Sequence, residues 1–178
     1  MPAIAQISEK NVPMFKTTRL QALQDSPSAF GSTYAWEAAF SDAEWSSRAA
    51  KMNGEKKIGF LAMDNEASCG IIGGLIDEDD PTTAQVISMW VAPAYRRAGV
   101  GSLLIAGVQA WAQSRGVRRL QLMVTSSNHN AIEFYQRMGF SMTGHTEPYP
   151  NDPSLIEYQM SVSVPAEENQ RPARCHRV

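Results

Sequence analysis

The sequence has little of what marks a disulfide scaffold or a metal protein. Two cysteines occur in 178 residues, Cys69 in an apolar run and Cys175 in a polar tail. This number indicates no disulfide framework and fits a reducing compartment. Only Cys175 and His176 adjoin, whereas His129 and His145 stand apart in the chain. No spacing typical of a metal site is present, and we expect no metal cofactor.

The sequence also lacks a surplus of charge and a long apolar run. Its 16 lysines and arginines nearly balance its 18 aspartates and glutamates, for a formal net charge of −2. This balance provides no field that would hold nucleic acid or an anionic membrane, so we expect neither as a partner. No uncharged apolar stretch approaches the length of a membrane span, and residues 1–10 contain no long apolar run. We therefore expect a cytoplasmic protein.

Hydrophobic side chains are plentiful and are arranged with clear periods. At 43% hydrophobic, 178 residues can build one sizeable core but not two comfortable domains. We predict one domain over residues 1–164. Residues 165–178 are polar, contain two prolines and have little apolar periodicity, which is typical of a mobile tail.

The periods predict an alternation of helices and strands. Ser41 and Glu44 form a capping box that begins the second helix. The region between the first two helices, residues 30–40, is predicted as a loop or a broken helix. Strands are expected at 4–8, 58–63, 69–76, 84–91, 120–124, 140–145 and 155–162, and helices at 12–23, from 41, from 99 to 115 and at 131–138.

This order predicts a mixed α/β (α+β) fold. It reads strand, two helices, three strands, helix, strand, helix, two strands, and the three strands from 58 to 91 look like an antiparallel meander. Strand, helix and strand over residues 84–124 require a parallel crossover. We therefore expect a central sheet that is mostly antiparallel and is flanked by helices.

The crossover contains a segment suited to phosphate binding. After a strand and Pro93, two glycines open a helix, where unpaired N–H groups meet the positive end of the helix dipole. Such an end suits a diphosphate, because glycine lets phosphate oxygens approach the backbone and arginines add charge-assisted bonds. The alternative is that two glycines merely begin a helix. The segment consists of Arg96, Arg97, Ala98, Gly99, Val100, Gly101 and Ser102.

Two motifs together resemble the GNAT superfamily of N-acetyltransferases. The first is Ile-Ser-Met-Trp-Val-Ala-Pro at residues 87–93, followed by the [QR]-x-x-G-x-G/A signature at Arg96 to Gly101. The second runs from Asn128 and Ala131 to Met-Gly-Phe at 138–140. The resemblance covers residues 84–140 closely and, through the element order, nearly all of the chain before the tail.

The resemblance implies a GNAT-like fold and an activity. The chain is expected to transfer an acetyl group from acetyl-CoA to a primary amine by direct attack. The acceptor is either a small-molecule amine or a protein amino group. A homodimer is one assembly open to the chain, since dimers are common among relatives. An acyl donor other than acetyl-CoA, or a noncatalytic acyl-CoA sensor, remains an alternative.

The resemblance also assigns cofactor contacts. In the superfamily the strand that matches residues 84–91 has a bulge and splays from the next strand, so that its edge groups pair with the pantetheine arm. A backbone N–H of this stretch is also expected to polarise the thioester carbonyl. The implied cofactor contacts are Met89, Trp90, Val91, Arg96, Arg97, Ala98, Gly99, Val100, Gly101, Ser102 and Asn128.

Tyr135 falls at the usual general-acid position of the superfamily. The unperturbed pKa of a phenol, about 10, keeps it protonated near neutrality, when the leaving thiolate needs a proton. The alternative is that Tyr135 only packs in the core, because it shares a helical stripe with Ala131, Phe134 and Met138.

The base is less clear, because the strand at 120–124 lacks the glutamate that some family members use. Glu37, in the region that often lines the acceptor side, is the candidate base. Glu44 is explained by its capping box, and His129 neighbours the proposed cofactor contact. Aromatic residues either wall an acceptor pocket or pack helices onto the sheet, and Asp152 either meets a cation or shapes a turn. The aromatic residues are Phe30, Tyr34, Trp36 and Phe40.

Overall fold

The helices and strands follow the order that the apolar periods predict, with one addition. The computed structural model describes residues 1–166. The strands are β1 (Ala3–Gln6), β2 (Lys57–Asp64), β3 (Ala67–Ile76), β4 (Thr83–Val91), β5 (Arg119–Thr125), β6 (Ser141–Tyr149) and β7 (Asp152–Ser163). The helices are α1 (Val12–Asp25), α2 (Tyr34–Ala38), α3 (Asp42–Ala50), α4 (Val100–Ser114) and α5 (His129–Arg137).

Helix α2 is the addition, and it lies where a loop or a broken helix was expected. The Thr33 side chain caps its start by accepting a hydrogen bond from the Trp36 N–H at 3.3 Å. A second cap follows at once, because Ser41 and Glu44 form the predicted capping box of α3. Two caps so close together explain why the segment is a broken helix.

The turn between the last two strands is tighter than the sequence indicates. Strand β6 continues to Tyr149 and β7 begins at Asp152, whereas the predicted strands end at residue 145 and begin at residue 155. Pro148 pairs within the ladder opposite Ile156. Because β6 is an edge strand, Pro148 need not donate to a second neighbour, so it does not end the strand.

All seven strands form one sheet in the order β1-β2-β3-β4-β5-β7-β6. The predicted meander of β2, β3 and β4 is confirmed, and β4 and β5 are parallel neighbours joined through α4. This parallel pairing covers only Thr83–Arg119, Ala84–Leu120 and Gln85–Gln121. Beyond these pairs the two strands diverge and leave a gap in the middle of the sheet.

Helices cover both faces of the sheet. On one face, α4 and α5 bury an apolar cluster that includes the predicted stripe Leu104, Val108 and Trp111. On the other face, α1 and α3 bury a second cluster, in which Phe15 packs edge-on against Trp45 at a centroid distance of 5.3 Å. The gap between β4 and β5 therefore lies between two helical layers, each with its own apolar cluster.

Candidate functional site

The segment between β4 and α4 forms a concave stretch of backbone. Arg97 has φ +64° and Gly99 has φ +82°, while the φ values of Ala98 and Val100 are not positive. Alternation of this kind turns successive N–H groups toward one point, the arrangement called a nest. Gly99 is the N-cap of α4 and supplies no side chain to occupy those groups.

The N–H groups of this nest are free within residues 1–166. No backbone N–H from Arg97 to Ser102 donates to a backbone or side-chain acceptor there, and the first bonded group is the Leu103 N–H, which donates to Gly99 O at 3.0 Å. These groups stand at the positive end of α4. Their number and direction fit an anionic group with several oxygens, such as a diphosphate.

The two glycines of the segment have different neighbours. A Cβ on Gly101 would lie 2.9 Å from the Phe134 ring and 3.2 Å from the Met89 Cε, so α4 and α5 approach closely only without a side chain there. A Cβ on Gly99 would meet nothing within 4 Å, but its backbone is left-handed. Gly101 therefore serves packing, and Gly99 serves backbone conformation.

Arg96 binds the protein rather than pointing away from it. Its Nε donates to Val91 O at 2.9 Å, and its Nη2 forms an ion pair with Asp25. Asp25 also accepts from the Trp90 indole N–H at 2.9 Å. Burial opposes ionisation of Asp25, but these hydrogen bonds and the arginine charge outweigh it and lower the pKa of the carboxyl. Arg97 is exposed and makes no such bond among the described residues.

Strand β4 carries a bulge next to the gap. Gly73 pairs with Ile87 and Ile71 pairs with Trp90, so that Ser88 and Met89 both lie opposite one residue of β3. Ser88 has φ +58°, the left-handed region that side chains disfavour. The bulge that the resemblance implies is therefore present on this strand.

The backbone of Met89 and Val91 faces the gap. The Ala92 N–H donates to Cys69 O on β3 at 2.9 Å, and neighbouring residues of a strand direct their polar groups to opposite sides. The backbone N–H and C=O of Trp90 therefore point toward β3, and those of Met89 and Val91 point toward β5. Their groups have no β5 partner, because the pairing ends at Gln85.

Tyr135 lies on the α5 side of the sheet and is 8% exposed. Its ring packs against Phe134 and Phe140 at centroid distances of 5.3 and 5.7 Å. Burial raises the pKa of the phenol, so it stays protonated well above neutrality. Asn128 is the N-cap of α5: its side-chain oxygen accepts from the Ala131 N–H at 3.2 Å, which leaves the amide NH₂ available.

Glu37 lies on the opposite face and is fully buried. Arg19 holds both of its oxygens, with Nε at 2.9 Å and Nη2 at 2.7 Å, and Arg48 forms an ion pair at 3.1 Å. Burial opposes ionisation, but the hydrogen bonds and charge of Arg19, aided by Arg48, lower the pKa of Glu37. A carboxylate so strongly held is a weak proton acceptor.

The other acceptor-side candidates have local structural roles. Glu44 completes the capping box, with its carboxylate accepting from the Ser41 N–H at 2.6 Å. Asp152 accepts from the Ser154 hydroxyl at 2.6 Å, and His129 is exposed at the start of α5. Among the aromatic residues, Phe30 is buried and Phe40 is partly buried, whereas Tyr34 and Trp36 are 40% and 63% exposed.

The loop between α1 and α2 is held by hydrogen bonds to β5, β6 and the turn after β6. The Tyr149 hydroxyl lies 2.7 Å from Phe30 O, and Asn151 donates to the same oxygen at 3.0 Å. Thr125, the last residue of β5, donates to Ser28 O at 2.9 Å. The loop therefore crosses the open end of the gap on the face of α1.

Sequence reasoning missed Arg19, Ser88 and Glu157. Arg19 lies on the buried stripe of α1 between Phe15 and Ala22, and a charge on such a stripe indicates a buried partner. The left-handed backbone of Ser88 leaves no mark in the sequence. Glu157 alternates with apolar residues on β7 and looks like an ordinary exposed strand position.

Within residues 1–166, no three side chains of the metal-ligating types lie together. No helix in this part of the chain is long and apolar enough to cross a membrane.

Known proteins match both the sequence and the fold. The profile of the acetyltransferase (GNAT) family matches residues 20–140. An uncharacterized N-acetyltransferase of Methanocaldococcus jannaschii is 36% identical over 90 residues, which are 51% of this chain and 36% of that protein. The streptothricin acetyltransferase of Streptomyces lavendulae is 37% identical over 76 residues, 42% of this chain and 40% of that protein. The chain thus spans well under half the length of these two relatives.

A crystal structure supports the same fold. An acetyltransferase of the GNAT family from Streptococcus pneumoniae superposes with a TM-score of 0.77 at 23% identity, covering 93% of this chain and all of that one. The family profile covers more than half of the chain and includes β4, α4, β5 and α5. The chain therefore belongs to the acetyltransferase (GNAT) family.

Proposed function

We propose that the protein is an N-acetyltransferase that uses acetyl-CoA to acetylate a primary amine by direct attack. One observation carries the proposal: the free N–H groups of Arg97 to Ser102 adjoin a gap in the sheet that exposes backbone groups of Met89 and Val91 with no partner on β5. A diphosphate with an extended amide-containing arm is complementary to this pair of features.

The donor is assigned to these residues by their chemistry. The nest from Arg97 to Ser102 would hold the diphosphate, and the exposed Arg97 guanidinium would add charge. The Met89 carbonyl and the Val91 N–H would pair with the amide groups of the arm, since the Val91 carbonyl already accepts a hydrogen bond from Arg96. The NH₂ of Asn128, at the start of α5, would donate a hydrogen bond to acetyl-CoA from the opposite side of the gap. Trp90 and Arg96 act indirectly in this assignment, by fixing the end of β4 to Asp25.

Two groups are assigned to the reaction itself. Acetyl-CoA supplies the acetyl group as a thioester. The Met89 N–H, which faces the gap, would stabilise the negative charge that develops on the carbonyl oxygen. The Tyr135 phenol would donate its proton toward the leaving sulfur. Burial raises the pKa of the phenol, so it keeps this proton in the neutral and mildly alkaline range.

We assign proton acceptance to Glu157 instead of Glu37. Met160 and Tyr158 pack in the cluster on the α4 and α5 face, so Glu157 points to the other face. There it lies opposite Thr125 at the end of β5, one strand from the gap. Burial, together with the charge of Glu147, raises the pKa of Glu157, which makes it a better base than an ordinary carboxylate.

The acceptor is proposed as a small-molecule amine. The curated relative named for streptothricin supports this class, although it matches only 42% of the chain. A protein amino group is the other acceptor that the fold serves.

The test is a screen of donors against acceptors that measures thiol release. Acetyl-CoA and longer acyl-CoA thioesters are combined with amino acids, polyamines, aminoglycosides, streptothricin and peptides with free amino termini. We expect amine-dependent thiol release with acetyl-CoA, and a product of the amine mass plus one acetyl group. Tight binding of acetyl-CoA with no release for any amine across the pH range would instead identify a sensor, and the function proposed here would be wrong.

A further inference from the structure

The bulge of β4 decides which backbone groups face the gap. Before the bulge, Thr83 O accepts from the Asp77 N–H, so odd-numbered residues of β4 direct their polar groups toward β3. After the bulge, the Ala92 N–H donates to Cys69 O, so even-numbered residues do so. The extra residue at Ser88–Met89 therefore inverts the alternation. In a regular strand Met89 would face β3, and its N–H would be unavailable to the gap.

The backbone conformation that produces this inversion is unfavourable for the residue that adopts it. Ser88 has φ +58°, and it is not glycine. Non-glycine residues in this region persist when surrounding contacts hold them there. A hydrogen bond of the Ser88 side chain holds Ser88 in this conformation.

The Ser88 hydroxyl accepts a hydrogen bond from Arg19 Nη1 at 3.0 Å. Arg19 is 6% exposed, and its other two nitrogens, Nε and Nη2, both donate to Glu37, which is fully buried. The planar guanidinium is thus fixed on one edge by Glu37 and presents the other edge to Ser88. We call Arg19, Glu37 and Ser88 the bulge cluster.

Helix α1 also fixes β4 on the other side of Met89. Asp25, at the last turn of α1, accepts from the Trp90 indole N–H at 2.9 Å. Arg19 and Asp25 therefore fasten the residues immediately before and after Met89, while the side chain of Met89 contacts Gly101 on the opposite face. None of these contacts lies in the gap itself.

We propose that Arg19 and Glu37 are positioning residues that hold the β4 bulge at Ser88 and so direct the Met89 N–H into the gap. The inference rests on the proposed function, because it assigns that N–H to the acetyl carbonyl. It gives Glu37 a purpose other than proton transfer, and it explains why a carboxylate is buried beside the reaction site without being available to it.

The test compares two substitutions of one residue. Ser88→Ala keeps a Cβ in the left-handed backbone and removes the bond to Arg19. Ser88→Gly removes the same bond, but glycine adopts φ +58° without cost. We expect kcat of Ser88→Ala to fall about tenfold to a hundredfold, as for a misdirected oxyanion donor. Ser88→Gly should recover most of this loss. KM for acetyl-CoA should rise in Ser88→Ala and recover in Ser88→Gly, because the same inversion directs the backbone of Met89 and Val91 toward the arm.

Ser68→Ala is the matched control. Ser68 is a partly buried serine of the neighbouring strand whose hydroxyl donates to Gly70 O, and it belongs to no part of the site. Its substitution should leave kcat unchanged. Arg19→Lys keeps the positive charge but cannot serve Glu37 and Ser88 together, so it should resemble Ser88→Ala.

Hydrogen exchange gives a readout that does not depend on turnover. Loss of the inversion should speed exchange of the Ala92 amide in Ser88→Ala but not in Ser88→Gly or Ser68→Ala. Equal kcat and equal exchange for the alanine and glycine variants would overturn the inference. If the wild type releases no thiol with any amine, the proposed function fails, and the exchange pattern still decides whether the cluster holds the bulge.

Discussion

The two faces of the sheet contribute to the site in different ways. On the α4 side, the contacts proposed for the donor are mostly backbone groups at a helix end and a strand edge, and the neighbouring side chains are apolar. On the α1 side, charged side chains from distant segments pair with one another, as Arg19 does with Glu37. A short motif can therefore encode the contacts proposed for the donor, whereas the α1 side, where we expect the acceptor, depends on contacts between distant parts of the chain.

The strongest test of this difference is the phenol on the α4 side. Tyr135→Phe removes one hydroxyl from an apolar cluster, so we expect kcat to fall about 100-fold while the fold remains intact. KM for acetyl-CoA should change little, because the nest is untouched. The measurement is steady-state thiol release, with thermal unfolding as the control. Wild-type activity should show no alkaline decline from this group below pH 10, since its pKa is raised. Unchanged turnover in a folded variant would remove Tyr135 from the acid role.

Glu37→Gln tests whether Glu37 acts by holding the β4 bulge in place rather than by accepting a proton. The substitution leaves Arg19 partly unpaired in a buried place, which should lower the free energy of unfolding by about 3 kcal/mol and kcat about tenfold. Because the pKa of Glu37 is lowered, its contribution is complete above the ordinary value of 4.5 and is lost as pH falls through the folded value. The stability difference between variant and wild type should therefore shrink on acidification.

The pH profile separates position from chemistry at Glu37. If Glu37 only positions the bulge, the variant keeps the shape of the wild-type profile of kcat against pH at a lower level. Loss of the acidic limb in Glu37→Gln would contradict this and would restore Glu37 as the base.

Glu157→Gln should raise stability slightly and change the pH profile, the reverse of what we expect for Glu37→Gln. It removes a carboxylate that faces Glu147 across the ladder, so the variant should be slightly more stable at neutral pH. A raised pKa contributes stability below the ordinary value of 4.5, and that contribution disappears as pH rises through the folded value. We expect kcat to fall about tenfold near neutrality, with loss of the acidic limb. Higher stability with unchanged kcat would remove the base assignment.

The two glycines of the nest give a smaller effect that is specific to the donor side. Gly99→Ala should cost about 1 kcal/mol of stability through its left-handed backbone. Gly101→Ala should cost about 1–3 kcal/mol, because Phe134 and Met89 must move. Both should weaken acetyl-CoA binding in a calorimetric titration and leave the acceptor KM unchanged. An acceptor effect larger than the donor effect would show that the two faces are not separable.

Ser41→Ala is the smallest change and serves as a control for the α1 side. It removes the capping box of α3 and should lower the free energy of unfolding by about 1 kcal/mol. Activity at 25 °C should be unchanged, because the cap lies outside the bulge cluster. A tenfold loss of kcat would mean that the whole helical layer, rather than Arg19 and Glu37, sets the bulge.

The sequence predicts the donor side better than the acceptor side for a physical reason. The order of elements and the nest follow from local rules, since apolar periods, glycines and helix ends act over a few residues. The contact between Arg19 and Ser88 joins residues 69 positions apart, and no local pattern records it. The prediction of Glu37 as a base rests on its region alone, because no local pattern shows its two arginine neighbours. Helix α2 was only partly foreseen, because two closely spaced caps divide one apolar stretch.

The fastening of the loop between α1 and α2 has a consequence for the motion of the molecule. The Ser28 carbonyl accepts a hydrogen bond from Thr125, and the Phe30 carbonyl accepts hydrogen bonds from Tyr149 and Asn151. A loop whose carbonyls are satisfied in this way has few alternative conformations of similar energy. We therefore expect the gap to open on this face as a fixed aperture rather than under a closing lid. An acceptor that enters here would be selected by its shape on arrival.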